Sequence, residues 1–144
     1  MISRELRKFA GILFLVLPTV MYGGVSLLQL LLDDPRYPAN ALRQDLWRAG
    51  HAHAGVLLLL SFVVLLYLDL ARPALGPAAR RFVRSGVPAA AILMPAGFFL
   101  SVLDPAAREP NRLILLTYAG AVILALAILT LGIGLVRRGE ADGR

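Results

Sequence analysis

The chain has 144 residues, no cysteine, 58% hydrophobic and 17% charged residues, and a net charge of +6. Soluble domains run at about 45–50% apolar and about 25% charged, so a soluble globular domain is excluded, as are a secreted disulfide scaffold, Fe–S clusters and thiol catalysis. The charges leave four gaps, of 24 residues after Lys8, 20 after Arg48, 19 after Arg84 and 24 after Arg112, together 87 of the 144 residues. About 20 apolar residues cross a hydrocarbon core of roughly 30 Å. The composition therefore predicts an all-α, four-transmembrane-helix bundle, because lipid offers no partner to an open backbone. A barrel is excluded, since its strands alternate apolar and polar residues over segments of about ten.

In chain order, the first span is expected over about 6–32. It follows a basic start (Arg4, Arg7, Lys8) and is too long for the apolar region of a signal peptide. A loop opened by Asp33-Asp34-Pro35-Arg36 has turn chemistry. The second span is expected over about 46–70, the third over 80–103 and the fourth over 111–137. Pro18, Pro88 and Pro95 fall inside spans and predict kinks. Asp104-Pro105 stops the third span, Glu109-Pro110-Asn111 restarts the fourth, and the tail after Arg138 is expected to fray. The whole of 1–144 reads as one domain without a linker or repeat.

Four spans put both termini on one side, which carries ten of the Lys and Arg residues against five on the other. Cations in short loops stay cytoplasmic, so both termini are expected inside, at a bacterial inner membrane. The basic excess is then topology and contact with anionic membrane lipid, and nucleic acid is not an expected partner. No acid stands at mid-depth in a span and no ladder of cations runs along one, which argues against proton-coupled transport and voltage sensing.

The two histidines lie in Trp47-Arg48-Ala49-Gly50-His51-Ala52-His53-Ala54-Gly55 and are expected to open the second helix near the outer surface. Residues two apart on a helix point about 200° from each other, so the pair cannot chelate one metal along a single face. His53 has Ala49 and Gly50 a turn before it and apolar residues after it, room for a flat macrocycle near the backbone. His51 shares a face with Trp47 and Arg48, an interfacial setting suited to an anion. The plainer alternative is that both histidines and Trp47 simply anchor the helix at the headgroups. Asp45 and Asp104 could share that end in a hard-metal or proton site, although acids in loops are usually solvated helix caps. Tyr22, Ser61, Ser101, Thr117 and Tyr118 are polar groups within spans, expected to bond backbone or neighbouring helices.

The chain resembles the small integral membrane isomerases of the styrene oxide isomerase family and, more distantly, hydroxylaminobenzene mutase. The resemblance rests on the charged start leading to Ala10-Gly11-Ile12-Leu13, on Tyr22-Gly23-Gly24 and on the loop ending in Trp47. It continues through His53-Ala54-Gly55 before a long apolar span, Ala79-Arg80-Arg81, and Gly97-Phe98-Phe99-Leu100. It implies a homotrimer binding haem b between neighbouring subunits, with His53 as axial iron ligand. Iron then acts as a Lewis acid on a small apolar substrate such as an epoxide, giving a carbonyl product. His51 stands where the family has an arginine, and Arg43, Arg48 and His51 are the expected propionate partners. Positions that are tyrosine and asparagine in the family are Phe99 and Leu59 here, so Leu59, Phe98 and Phe99 are expected to form an apolar pocket wall. The resemblance thus implies a haem-dependent isomerase. The alternatives are a non-catalytic haem protein for electron transfer or gas binding, and a cofactor-free accessory subunit.

Overall fold

The computed structural model describes residues 3–142. Among them are four long helices and no strand: α1 Arg4–Asp33, α2 Ala41–Leu66, α3 Pro77–Leu100 and α4 Leu115–Asp142. All four are long and apolar enough to cross a membrane. The all-α, four-span architecture therefore stands.

α1 and α2 start where a side chain satisfies a free backbone N–H group. The Ser3 hydroxyl accepts from the Leu6 N–H at 3.1 Å, and Asn40 Oδ1 accepts from Arg43 N–H at 3.0 Å. α3 begins on Pro77, whose missing N–H costs nothing there. Asn111 caps a single 3₁₀ turn, Arg112–Ile114, that leads into α4. α2 does not end cleanly: it widens into a π-helical turn, Tyr67–Ala71, that stops at Arg72 with φ 45°, followed by Pro73. Arg80 holds this turn by donating to the carbonyl of Leu68.

Two boundaries differ most from those expected. α2 starts five residues early, because Asn40 is a cap and the polar stretch Arg43-Gln44-Asp45 is helical rather than loop. The histidines therefore do not open α2; His51 is ten residues in, about 15 Å along the axis. At the far end α4 runs on to Asp142, where a frayed tail was expected.

The helices alternate in direction. At one end, here the terminal end, Ser3 N–H donates to Asp69 at 3.0 Å and Ala74 N–H to the carbonyl of Gly134 at 2.9 Å. Arg84 on α3 joins them through an ion pair with Glu5 at 2.6 Å. At the other end, the loop end, the Asn40 amide donates to the carbonyls of Pro105 and Ala107, both at 2.9 Å.

Packing is uneven. α2, α3 and α4 share a core of Val64, Leu68, Val83, Val87, Ala127 and Leu131. Glycines bring α3 and α4 close, as small residues do in membranes. A Cβ on Gly97 would collide with Thr117 Oγ1, and one on Gly120 would lie 2.6 Å from Met94. α1 rests on α2 through Leu6 and Leu13 against Leu58 and Leu65, with Phe9, Leu17 and Val20 alongside. Only 6% of the apolar window of α1 is buried inside the chain, against 22–39% for the other three.

Candidate functional site

The site is built on the loop-end half of α2, around the two histidines. His51 turns toward α1. Its ring lies over Gly23 and Gly24: a Cβ on Gly24 would stand 3.1 Å from Nε2, and one on Gly23 3.6 Å from Nδ1. His53 turns the other way, as the helical angle requires. Its ring lies 5.1 Å from that of Phe98 on α3, and both side chains are half-buried.

The hydrogen bonding of His53 fixes its chemistry. Nδ1 lies 2.7 Å from the carbonyl oxygen of Ala49, one turn back on α2. A carbonyl only accepts, so Nδ1 carries the proton and donates. In the neutral ring the lone pair is then on Nε2, which has no hydrogen-bond partner among the described residues. An imidazole oriented through one N–H with the other nitrogen free is the form that ligates a metal.

The other expected residues are placed as follows. Phe98 joins His53. Phe99 turns instead to Trp47, edge to face with ring centroids 5.9 Å apart, and its carbonyl accepts from Trp47 Nε1 at 3.1 Å. Gly50 admits both phenylalanines: a Cβ there would lie 3.0 Å from the Phe99 ring and 3.1 Å from Phe98 Cβ. Leu59 is 59% exposed on the outside of α2. Arg48 is exposed and donates to Gln44 at 2.8 Å. Arg43 is buried with its guanidinium 4.1 Å over the Trp47 ring, while Nε and Nη1 have no hydrogen-bond partner. Among the described residues, none of Arg43, Arg48 and His51 has a hydrogen bond or ring contact with His53.

Beside Trp47 sits Tyr37, 1% exposed, with an unpartnered hydroxyl. Sequence reasoning passed over it as a loop residue. Its burial pushes the phenol pKa up, although Arg48 and Arg43 pull the other way. At the loop surface the hydrogen bond and charge of Arg36 hold the Asp34 carboxyl below its ordinary value.

Among the described residues no three His, Cys, Asp or Glu side chains come together as a metal cage. Asp45 and Asp104 therefore do not form the hard-metal site that the loop end was considered for; Asp104 accepts from the Ala106 N–H instead. Of the polar span residues, Ser61, Ser101 and Thr117 bond backbone carbonyls as expected, Thr117 across to Met94 on α3. Tyr22 and Tyr118 do not; they are 70% and 62% exposed.

Comparison with protein families, curated proteins and solved structures found no match to this chain.

Proposed function

We propose that this chain is a haem b-binding integral membrane protein with His53 as the axial ligand, acting as a Lewis-acid isomerase on a small apolar substrate such as an epoxide. The observation that carries the reading is the hydrogen bond from His53 Nδ1–H to the Ala49 carbonyl. It orients the ring and leaves Nε2 as a donor to iron. His53, with Nδ1 bonded and Nε2 free, is the residue that would hold the iron of such a group.

When bound, haem supplies a Lewis-acidic iron that polarises a carbon–oxygen bond. The chain supplies the rest. Ala49 holds the His53 proton on Nδ1, Phe98 would flank the bound group, and the apolar helices would exclude water and admit a substrate dissolved in lipid. The basic terminal end faces the cytoplasm, in keeping with retention of cations on that side, at a bacterial inner membrane. Several copies assemble, a trimer on the family pattern.

A second reading is a haem protein without isomerase activity, for gas binding or electron transfer. It is favoured by the surroundings of His53: Phe98 is its ring neighbour, and no side-chain acid or hydroxyl bonds it among the described residues. Apolar surroundings of this kind suit diatomic ligands.

The test is an absorption spectrum of protein purified from haem-replete cells, wild type beside His53→Ala. A Soret band lost or shifted in the variant supports the ligand. Turnover of an epoxide or arylhydroxylamine panel then separates isomerase from carrier. No band after haem is added back overturns both haem readings and leaves a cofactor-free accessory subunit.

A further inference from the structure

Arg43 is the one charged side chain buried among the described residues, 7% exposed. Arg36 pairs with Asp34 and Arg84 with Glu5, but no acid among the described residues pairs with Arg43. Asp45, the nearest acid along α2, is exposed. Nε and Nη1 are sealed from solvent and unbonded, and the hydroxyl of Tyr37, against the same indole, is a third sealed and unbonded atom. The Trp47 ring beneath the guanidinium answers part of its charge through the π face. It offers the N–H groups no acceptor in their own plane.

The place of Arg43 in α2 sharpens the imbalance. It is the third residue of the helix, and the first turn holds no acid. The N-terminus of a helix carries roughly half a positive charge, so the guanidinium stands in a field of its own sign. A buried charge without a counter-charge is strongly destabilising. Orphaned polar atoms gathered at one spot point to a partner from outside the chain. All three are donors, which makes that partner an acceptor, and the charge makes it an anion.

Depth selects the chemistry. α2 with its π turn runs over Ala41–Ala71, 31 residues or about 46 Å. A bilayer is roughly 30 Å thick in its hydrocarbon core and roughly 40–45 Å with its headgroups. Centred on that core, the helix puts Arg43, two residues from its end, in the layer of the lipid phosphates. We infer that Arg43 binds a phosphate group at the loop end of the bundle. Nη2 is not among the sealed atoms. It belongs to both forks with which a guanidinium grips an oxyanion, one with Nε and one with Nη1. Tyr37 adds a neutral donor beside the same indole. The site is separate from the one proposed for haem and goes beyond that reading, because Arg43 lies ten residues before His53, about 15 Å along the axis.

The phosphate can belong to a lipid headgroup or be free in solution, and the experiment distinguishes the two. Wild type, Arg43→Met and Arg112→Gln, the last at an exposed arginine of the same end, are purified without haem and delipidated in non-ionic detergent. The unfolding midpoint is followed while phosphatidylglycerol in mixed micelles, or inorganic phosphate, is titrated in at constant ionic strength. Wild type and Arg112→Gln are expected to rise by roughly 5 °C or more near saturation, and Arg43→Met to stay level. A rise with phosphatidylglycerol alone assigns the site to a lipid; a rise with inorganic phosphate assigns it to a free phosphate. No rise in wild type with either probe, an equal rise in Arg43→Met, or an equal loss in Arg112→Gln overturns the inference. Should Arg43→Met fail to fold, Arg43→Lys keeps the charge without the planar fork. Its half-saturation is expected at about tenfold higher ligand, and an unchanged value overturns the inference.

Discussion

Trp47 Nε1–H donates to the carbonyl of Phe99 at 3.1 Å, fastening the loop-end half of α2 to the last turn of α3. The same indole stacks beneath Arg43 and edge-on to Phe99. One side chain thus ties the Arg43 and Tyr37 cap to the wall that carries Phe98. Trp47→Phe keeps a ring but removes the donor and the strongest cation–π face. It is expected to cost about 1–3 kcal/mol, read as a lower thermal unfolding midpoint in detergent.

Arg43 gives the opposite expectation. Its charge is buried with Nε and Nη1 unbonded, and the Trp47 indole lies beneath the guanidinium. Replacing a buried, poorly paired charge by an apolar side chain of similar length is often neutral or stabilising. Arg43→Met is expected to leave the midpoint unchanged or raise it. A large drop would mean that the guanidinium has a partner in the assembled protein, which the same measurement on solubilised single copies would remove.

Gly97 packs against Thr117 so closely that an added Cβ would meet both the hydroxyl and the backbone N–H. Gly97→Ala must push α3 from α4 and is expected to cost about 1–3 kcal/mol. Gly11→Ala meets nothing within 4 Å and serves as the control, with little change expected. Urea or SDS unfolding of the two variants separates helix packing from helix propensity.

Tyr37 carries the pH prediction. Burial holds its phenol protonated beyond the ordinary range near 10. A group whose folded pKa is raised gives its full stabilisation below the unfolded value and loses it as pH climbs through the folded one. The unfolding midpoint should therefore fall in the alkaline range, and less so in Tyr37→Phe. Tyrosinate absorbance in wild type and variant locates the titration directly. A Tyr37 midpoint at or below the ordinary value would contradict the burial argument.

Much of this fold was legible because a charge in hydrocarbon is expensive, so the gaps between charges mark the spans. The opposed directions of His51 and His53 were legible too, from the helical angle alone. The start of α2 was not. Arg43, Gln44 and Asp45 look like loop by composition, and the signal that they are helical is the Asn40 cap. Phe99 was expected at the pocket wall with Phe98. Adjacent residues lie 100° apart on a helix, and Gly50 lets the second ring turn to Trp47. Leu59 lies outside for a similar reason, six residues and more than a quarter-turn from His53. The π turn at Tyr67–Ala71 had no sequence signal that we recognise.

The shallow seating of α1 has a consequence for biogenesis. A helix that owes so little of its cover to its own chain is stable in lipid before its neighbours arrive, and the other three assemble on one another through their shared core. Insertion and assembly are then separate events. A chain cut within the 34–40 loop and expressed as two pieces should regain the Ser3–Asp69 and Glu5–Arg84 contacts that close the terminal end. Co-purification of the two pieces from membranes would record that reunion.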